Sequence, residues 1–245
     1  MKNLFVHIGF PRTATKTLQI NLFKRHKDIN YLGRFPNKYP PHNATVSKIL
    51  NFSNQEFDKN FEELSDEFKN LPLSSSKSNV MSEEFFLLSH ILHQKIHIKD
   101  SILRLNELCK SNSVNLKIIC SVRNQLDLIL SLIPLSFLTT LKTDHGKIVS
   151  SLNGTHTDNY TTRFLDGFNY NLLHESLSKI VGINNLHFIF YEKLLDFREE
   201  YCGDLSKILN VSSAETSNLL KKSWMHKMRD QISCSPRLST KSQLI

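Results

Sequence analysis

The sequence predicts an α/β fold: a three-layer sandwich in which helices cover both faces of a central, mostly parallel β-sheet. Short apolar runs, typical of buried strands, alternate along the chain with amphipathic stretches that have helical spacing. The first apolar run passes through a short loop directly into the first amphipathic stretch. A chain of 245 residues, 40% of them hydrophobic, is long enough to form one such domain around a large core.

The strands are predicted from β-favouring apolar runs that end at turn or polar residues. In chain order they cover residues 3–8, 79–81, 116–122 and 186–190. The first strand stops at Gly9, the second leads into Ser82, and the third stops at Arg123. Ligands of parallel sheets bind at the carboxyl ends of the strands, so these three ends are where we expect a site.

The helices are predicted from apolar residues that recur every three or four positions. They cover residues 15–25, 45–71, the stretch from 85 to 92, and residues 98–110, 125–137, 168–180, 193–209 and 213–223. Gly33, Pro36, Pro40 and Pro41 predict an irregular loop over residues 28–44. Pro134 is expected to disturb the helix that contains it.

Charge and cysteine content narrow the range of functions. The formal net charge of +8 favours anionic ligands, but no basic block of the kind that binds nucleic acid occurs. No apolar run approaches the roughly 18 residues of a membrane-spanning helix, and the N-terminus does not resemble a signal peptide. The four cysteines have no metal-binding spacing, and Cys120 lies in a core-like run. We therefore expect a cytoplasmic protein that binds neither metal nor nucleic acid.

The segment from Gly9 to Thr17 predicts a P-loop-like strand–loop–helix unit at the N-terminus. Free backbone N–H groups and the helix dipole favour an anion at such a helix start. Arg12 and Lys16 add charge, and Thr13, Thr15 and Thr17 add hydroxyl groups. Nucleotide kinases use the pattern GxxxxGK[ST], but counting from Gly9 the lysine comes one position late. The loop therefore predicts phosphate binding without the magnesium-binding hydroxyl of a kinase loop.

A second candidate element follows the third predicted strand. Arg123 stands at the strand end and can offer a forked donor to a phosphate. Ser131 follows about two helical turns later and can face the same side.

Three segments together resemble the PAPS-dependent sulfotransferase family, of the bacterial or carbohydrate type. Residues 7–19, HIGFPRTATKTLQ, are similar to the family's 5′-phosphosulfate loop, HIG-x-P-K-T-G-T-T-x-L-Q, with Arg12, Ala14 and Lys16 replacing Lys, Gly and Thr. Residues 119–131, ICSVRNQLDLILS, resemble its 3′-phosphate motif. Residues 188–195, FIFYEKLL, resemble its late strand and YE-x-L turn, which is mainly structural.

The resemblance implies transfer of a sulfuryl group from 3′-phosphoadenylyl sulfate (PAPS) to a hydroxyl or amine acceptor, which leaves adenosine 3′,5′-bisphosphate (PAP), without a metal. The implied nucleotide-binding residues are Arg12, Thr13, Ala14, Thr15, Lys16, Thr17, Arg123 and Ser131. Arg12 retains the charge of the family's lysine, but it cannot give up a proton. Ala14 resists the positive φ that glycine allows.

The general base is expected in Ser82-Glu83-Glu84, which follows a strand and resembles an S-x-E segment of bacterial family members. The alignment favours Glu84, with Glu83 as its neighbour, and both are candidate catalytic residues together with Arg12. Acidic residues are also common in the first turn of a helix without any catalytic role. Histidine is the base in many family members, and His7, His90, His145 and His156 stay open as alternatives.

The chain is expected to form a single sulfotransferase-like domain over residues 1–245. Residues 28–75 and 143–165 are predicted to be insertions on the acceptor side, and residues 233–245 a polar tail. The acceptor is expected to be a small molecule or a carbohydrate, and sugar, lipid and small alcohol all stay open. The sequence does not give the oligomeric state. Two alternatives remain: a P-loop nucleotide kinase or NTPase, and a non-catalytic nucleotide-binding protein of the same fold.

Overall fold

The computed structural model describes residues 1–33, 48–84, 86–87, 98–132 and 166–221. Five strands form a single sheet in the order β2-β3-β1-β4-β5, and every neighbouring pair is parallel. The strands are β1 (Lys2–Gly9), β2 (Ile29–Tyr31), β3 (Ser78–Ser82), β4 (Val114–Val122) and β5 (Leu186–Phe190). The predicted α/β class with a parallel sheet is confirmed.

Strand β2 corrects the predicted loop over residues 28–44. Ile29 to Tyr31 pair in parallel with β3 at the edge of the sheet, and they also lie within the segment expected to be an acceptor-side insertion. Asn30 fixes the pairing through its side chain, whose Nδ2 donates to Asn79 Oδ1 at 2.8 Å and to the Pro72 carbonyl at 2.7 Å. A three-residue strand held by distant polar contacts has no apolar run by which the sequence could show it.

The helices agree with the sequence pattern where they are described, although several are divided. The first begins as α1 (Thr15–Thr17) and continues as a π-helical segment, Leu18–Phe23. The others are α2 (Asn54–Lys59), α3 (Phe61–Lys69), α4 (Ile98–Ser111), α5 (Gln125–Leu132), α6 (Tyr170–Val181), α7 (Tyr191–Asp196) and α8 (Arg198–Leu209), with further helical residues at 48–51 and 213–221. None of the described helices has the length and apolar character needed to cross a membrane.

Two predicted helices are interrupted for local reasons. The stretch 45–71 restarts at Ser53, whose side chain accepts from Glu56 N–H in a capping box. The stretch 193–209 breaks at Phe197, where φ is −131° and ψ is 53°. The predictions for Pro134, residues 143–165 and the tail 233–245 lie outside the described residues.

Side chains alternate between the two faces of the sheet and form a hydrophobic cluster on each. Leu4, Val6 and Ile8 of β1 face one cluster, which includes residues of α3, α4 and α6. Phe5 faces the other, which includes residues of the first helix and α8. Burial on both faces is what a three-layer sandwich requires, so this prediction is confirmed. Cys120 is fully buried in the first cluster, as expected.

The strand register brings three chain segments to one edge of the sheet. His7 on the central strand β1 pairs with Ser82 of β3, and Gly9 pairs with Ser121 of β4. The carboxyl ends of β1, β3 and β4 therefore lie side by side. Leu73, near the end of the predicted 28–75 insertion, lies at the other end of the strands, where their amino ends are. Its carbonyl accepts from Nζ of Lys2, the first residue of β1, at 2.9 Å.

Candidate active site

The loop after β1 has a backbone that can bind an anion. Phe10 N–H donates to the Ser121 carbonyl at 3.2 Å, which joins the loop to the end of β4. Arg12 and Ala14 have φ values of 67° and 63°, in the left-handed region. Ala14 is followed by Thr15 in helical conformation, and such a left-handed–right-handed pair directs successive N–H groups into one concavity.

Ala14 adopts a positive φ, although alanine resists this conformation. Its backbone is left-handed, with φ 63° and ψ 18°, at the start of the first helix. This conformation costs an L-residue about 1–2 kcal/mol, and such strain is found mainly where a site needs it. The Leu18 N–H donates to the Ala14 carbonyl at 3.0 Å, so the helix begins directly from the strained residue.

The three threonines of the loop are placed differently. Thr13 is 2% exposed, and its hydroxyl donates to the Phe10 carbonyl at 2.6 Å, which closes the loop on itself. Thr15 and Thr17 are largely buried but line the cleft described below. Arg12 and Lys16 are exposed. The structure thus uses the Thr13 hydroxyl inside the loop and places the charged side chains on its surface.

A cleft of about 770 Å³ joins the three segments at the carboxyl edge of the sheet. Its lining contains most of the predicted site residues: Arg12, Ala14, Thr15, Lys16, Thr17, Glu84, Arg123 and Ser131. It also contains Pro11, Tyr191 and Leu194, which the sequence argument did not assign to a site. Thr13 and Glu83 are not among the lining residues. Glu83 is 8% exposed, and its N–H donates to the His7 carbonyl at 3.0 Å.

Arg123 is held in place by the first residues of α7, directly after β5, and by Tyr170 of α6. Its guanidinium carbon lies 5.1 Å from the centre of the Tyr191 ring, at cation–π distance. Glu192 Oε1 accepts from Asn124 N–H at 2.8 Å, at the start of α5. Tyr170 Oη donates to the Arg123 carbonyl at 2.7 Å. The YE turn therefore supports the Arg123 segment, and the adjacency of β4 and β5 is what makes this possible.

Ser131 lies on the second turn of α5, the helix that begins two residues after Arg123. It is half-buried, and its hydroxyl donates to the Leu128 carbonyl at 2.7 Å. With its only hydrogen used in this way, the oxygen can present lone pairs to the cleft, and rotation of the hydroxyl would let it donate to an anion.

His7 is the one candidate histidine that the structure describes, and it lies beneath the cleft. The side chain is fully buried, with Nδ1 2.7 Å from Ser82 Oγ and Nε2 2.7 Å from Ser121 Oγ. Burial lowers the pKa of His7 from 6.5 to about 3, so the ring is neutral at pH 7. His90, His145 and His156 lie outside the described residues.

The buried His7 predicts a loss of stability in mild acid. Its pKa is about 3 when folded and 6.5 when exposed, so between these pH values only the unfolded chain binds the proton. The stability contributed by neutral His7 is complete above pH 6.5 and falls by about 1.4 kcal/mol for each pH unit below it. Urea unfolding between pH 7 and pH 4 should show a shallower pH dependence in His7→Asn than in the parent protein. Equal slopes would contradict the assignment.

Gly9 allows the loop to pack closely against β4. A Cβ at this position would lie 2.6 Å from Thr15 Oγ1 and 3.3 Å from Ser121 Cβ. Gly9→Ala is expected to destabilise the protein by about 1–3 kcal/mol and to displace the loop. The matched control is Gly203→Ala in α8, where a Cβ meets nothing within 4 Å. That control is expected to stabilise the protein by about 0.5–1 kcal/mol. Thermal unfolding of both variants checks the contrast.

His26, Asp28 and Glu215 form the one cluster of metal-ligand type among the described residues. The ligand atoms of His26 and Glu215 already have hydrogen-bond partners in the protein. His26 Nδ1 accepts from Asp28 N–H at 3.2 Å, His26 Nε2 lies 3.2 Å from the Ser212 carbonyl, and Glu215 Oε1 accepts from Lys27 N–H at 3.1 Å. These contacts join the turn before β2 to residues 212–215.

Comparison with known proteins identifies the fold. No protein-family profile matches the chain, and no curated protein sequence matches it. The crystal structure of a sulfotransferase from Alicyclobacillus acidocaldarius superposes with a TM-score of 0.52 at 15% identity, over 95% of this chain and 93% of that one.

Two further sulfotransferase structures match with TM-scores below 0.5. Mouse sulfotransferase SULT7A1, crystallised with PAP, scores 0.48 at 14% identity, over 93% of this chain and 66% of the mouse chain. The sulfotransferase domain from the curacin biosynthetic pathway scores 0.46 at 15% identity, over 86% of this chain and 75% of that domain. The assignment rests on the bacterial enzyme alone: the chain has the sulfotransferase fold.

Proposed function

We propose that this protein is a sulfotransferase that moves a sulfuryl group from PAPS to a hydroxyl or amine of a small-molecule or carbohydrate acceptor. The proposal is supported by the sulfotransferase fold and by the agreement between the cleft and the residues that the family resemblance selects. Such an enzyme needs no metal for the transfer step.

One observation carries the proposal: a single cleft is lined by two separate groups of anion-binding side chains. Arg12 and Lys16 come from the loop after β1, whereas Arg123 and Ser131 come from the end of β4 and from α5. Two such groups suit a nucleotide with phosphates at two positions of the ribose. Arg123 suits the 3′-phosphate because the planar guanidinium of arginine can donate two parallel hydrogen bonds.

The residues divide the chemistry between them. Glu84 takes the proton from the acceptor hydroxyl as the acceptor oxygen bonds to sulfur and the bond from sulfur to the bridging oxygen breaks. Arg12, Lys16 and the loop N–H groups stabilise the negative charge that gathers on the bridging oxygen and the departing phosphate. Arg123 and Ser131 hold the 3′-phosphate, so that donor and acceptor are aligned for one in-line displacement.

The same arrangement argues against a nucleotide kinase. A P-loop kinase holds Mg²⁺ with a loop hydroxyl and a carboxylate after a neighbouring strand. Strand β4, on one side of β1, is followed by Arg123 and not by a carboxylate. Glu84 follows β3 on the other side of β1 and is the one carboxylate among the described residues that line the cleft, so it is the end of β4 and the loop that disfavour a kinase. Lys16 also stands one residue later than the kinase pattern requires.

The test is transfer of sulfur-35 from labelled PAPS to a panel of sugars, lipids and small alcohols. The proposal predicts a labelled acceptor and stoichiometric PAP, both independent of Mg²⁺. PAPS that is bound but never consumed, with every acceptor class, would support the non-catalytic alternative. Phosphate transfer from ATP that requires Mg²⁺ would support the kinase.

A further inference from the structure

A chain of buried polar side chains runs under the cleft and crosses the three central strands. His7 of β1 lies between Ser82 of β3 and Ser121 of β4, at 2.7 Å from each hydroxyl oxygen. Gln19 of the first helix extends the chain, because its Nε2 donates to Ser82 Oγ at 3.0 Å. The histidine and both serines are at most 2% exposed.

One assignment of the hydrogens satisfies every group in this chain of side chains. A neutral imidazole has one N–H donor and one acceptor nitrogen. In this assignment Ser82 Oγ accepts from Gln19 and donates its own hydrogen to His7 Nδ1. The matching tautomer of His7 carries its hydrogen on Nε2 and donates it to Ser121 Oγ. Every contact from Gln19 to Ser121 is satisfied in this order, as burial requires.

Each member of the chain is next to a segment that forms the cleft. Ser82 precedes Glu84 by two residues, and Ser121 precedes Arg123 by two residues. The Ser121 carbonyl accepts from Phe10 N–H at the start of the loop. Gln19 belongs to the helix that the loop begins. These hydrogen-bonded side chains therefore contact all three parts of the cleft: the segment of Glu84, the loop after β1 and the segment of Arg123.

We propose that His7 is a positioning residue, which through Ser82 and Ser121 sets the place of Glu84 relative to the loop and to Arg123. This inference rests on the proposed function for the roles of those residues. Apolar side chains would fill the same space without needing partners, but they would not fix the three strand ends at one spacing. Transfer needs such precision, since a displacement of about 1 Å can reduce its rate on the order of 100-fold.

The two serines make the proposal testable, because each supports a different part of the cleft. Ser82→Ala should lower kcat by about 10–100-fold and leave the Kd for PAP within about 2-fold of the parent value. Ser121→Ala, beside the loop and Arg123, should raise the Kd for PAP by about 10-fold. PAP binding is measured by titration calorimetry, and kcat well below the melting temperature of each variant.

Ser206→Ala is the matched control for loss of a buried hydroxyl. Ser206 is 3% exposed, and its hydroxyl oxygen lies 2.6 Å from the Cys202 carbonyl and 2.9 Å from Thr216 Oγ1, away from the cleft. This variant should lose a similar amount of stability, with kcat and the Kd for PAP unchanged. If all three variants lose stability alike and the cleft serines change neither kcat nor Kd, His7 only stabilises the core and the proposal is wrong.

Amide hydrogen exchange measures the positioning role without any sulfuryl transfer, so it tests this proposal independently of the proposed function. Ser82→Ala should speed amide exchange at residues 82–87, and Ser121→Ala at residues 9–17 and 121–128, whereas Ser206→Ala should affect only residues near 206 and 216. If the parent protein transfers no sulfuryl group but shows this pattern, the proposed function fails and the positioning role stands. Exchange that is unchanged at all three cleft segments overturns the positioning role, whatever the activity.

Discussion

Arg12→Ala is expected to reduce kcat by about 10²–10³-fold, while the Kd for PAP changes much less. Arg12 lies on the surface of the loop and lines the cleft, at a left-handed φ of 67°. Its charge is needed most when the bridging oxygen becomes negative, so the loss should fall on the transition state. Alanine tolerates this φ no better than arginine does, so the substitution does not relieve backbone strain.

Two matched variants separate charge from other effects of this substitution. Arg12→Lys keeps the positive charge and restores the residue of the sulfotransferase loop, so most of the activity should remain. Arg25→Ala removes an exposed arginine in the turn after the first helix, outside the cleft lining, and should leave kcat unchanged. An Arg12→Ala protein as active as the parent would remove Arg12 from the mechanism.

Glu84→Gln is expected to lower kcat by about 10²–10⁴-fold, the usual contribution of a general base. Glutamine has nearly the same shape, but it cannot take the acceptor proton. The Kd for PAP should stay the same or decrease, because a carboxylate in the cleft repels phosphate groups. The measurements are kcat under saturating donor and acceptor, and PAP titration.

Glu83→Gln is the control, since it makes the same chemical change one residue away. Glu83 is buried. The burial of Tyr31 and, after it, the charge of Glu83 raise the pKa of Tyr31. Its substitution should therefore change stability more than kcat. Loss of activity in Glu83→Gln, with Glu84→Gln still active, would reverse the assignment of the base.

The main strands could be predicted because each has a local signature. Strands β1, β4 and β5 are mainly apolar and β-favouring, and they end at turn or polar residues. The later parts of β1 and β4 are buried on both faces, as expected for central strands of a parallel sheet. Strand β2 could not be predicted, because Ile29–Tyr31 is short and depends on pairing with β3, nearly 50 residues later. The capping box at Ser53 could have been found, since serine followed three residues later by glutamate is its known signature.

In the site, too, residues within contiguous motifs could be predicted, whereas contacts between residues distant in the sequence could not. The loop and Arg123 carry their chemistry in contiguous residues, so the sequence predicted that they would share an edge of the sheet. Tyr191 was missed because its contact with Arg123 depends on β5 lying beside β4. The contacts of His7 with Ser82 and Ser121 join residues that are 75 and 114 positions apart, so no local sequence pattern could predict them.

Selective binding of PAP is the sharpest test of the proposed two-phosphate site. Titration calorimetry without Mg²⁺ should show that PAP binds at least about 10-fold more tightly than adenosine 5′-phosphate, because the proposed role of Arg123 and Ser131 is to hold the additional phosphate. Arg123→Ala should abolish this difference and leave the affinity for adenosine 5′-phosphate nearly unchanged. Equal affinity of the parent protein for the two nucleotides, or tighter binding of ATP that requires Mg²⁺, would contradict the account.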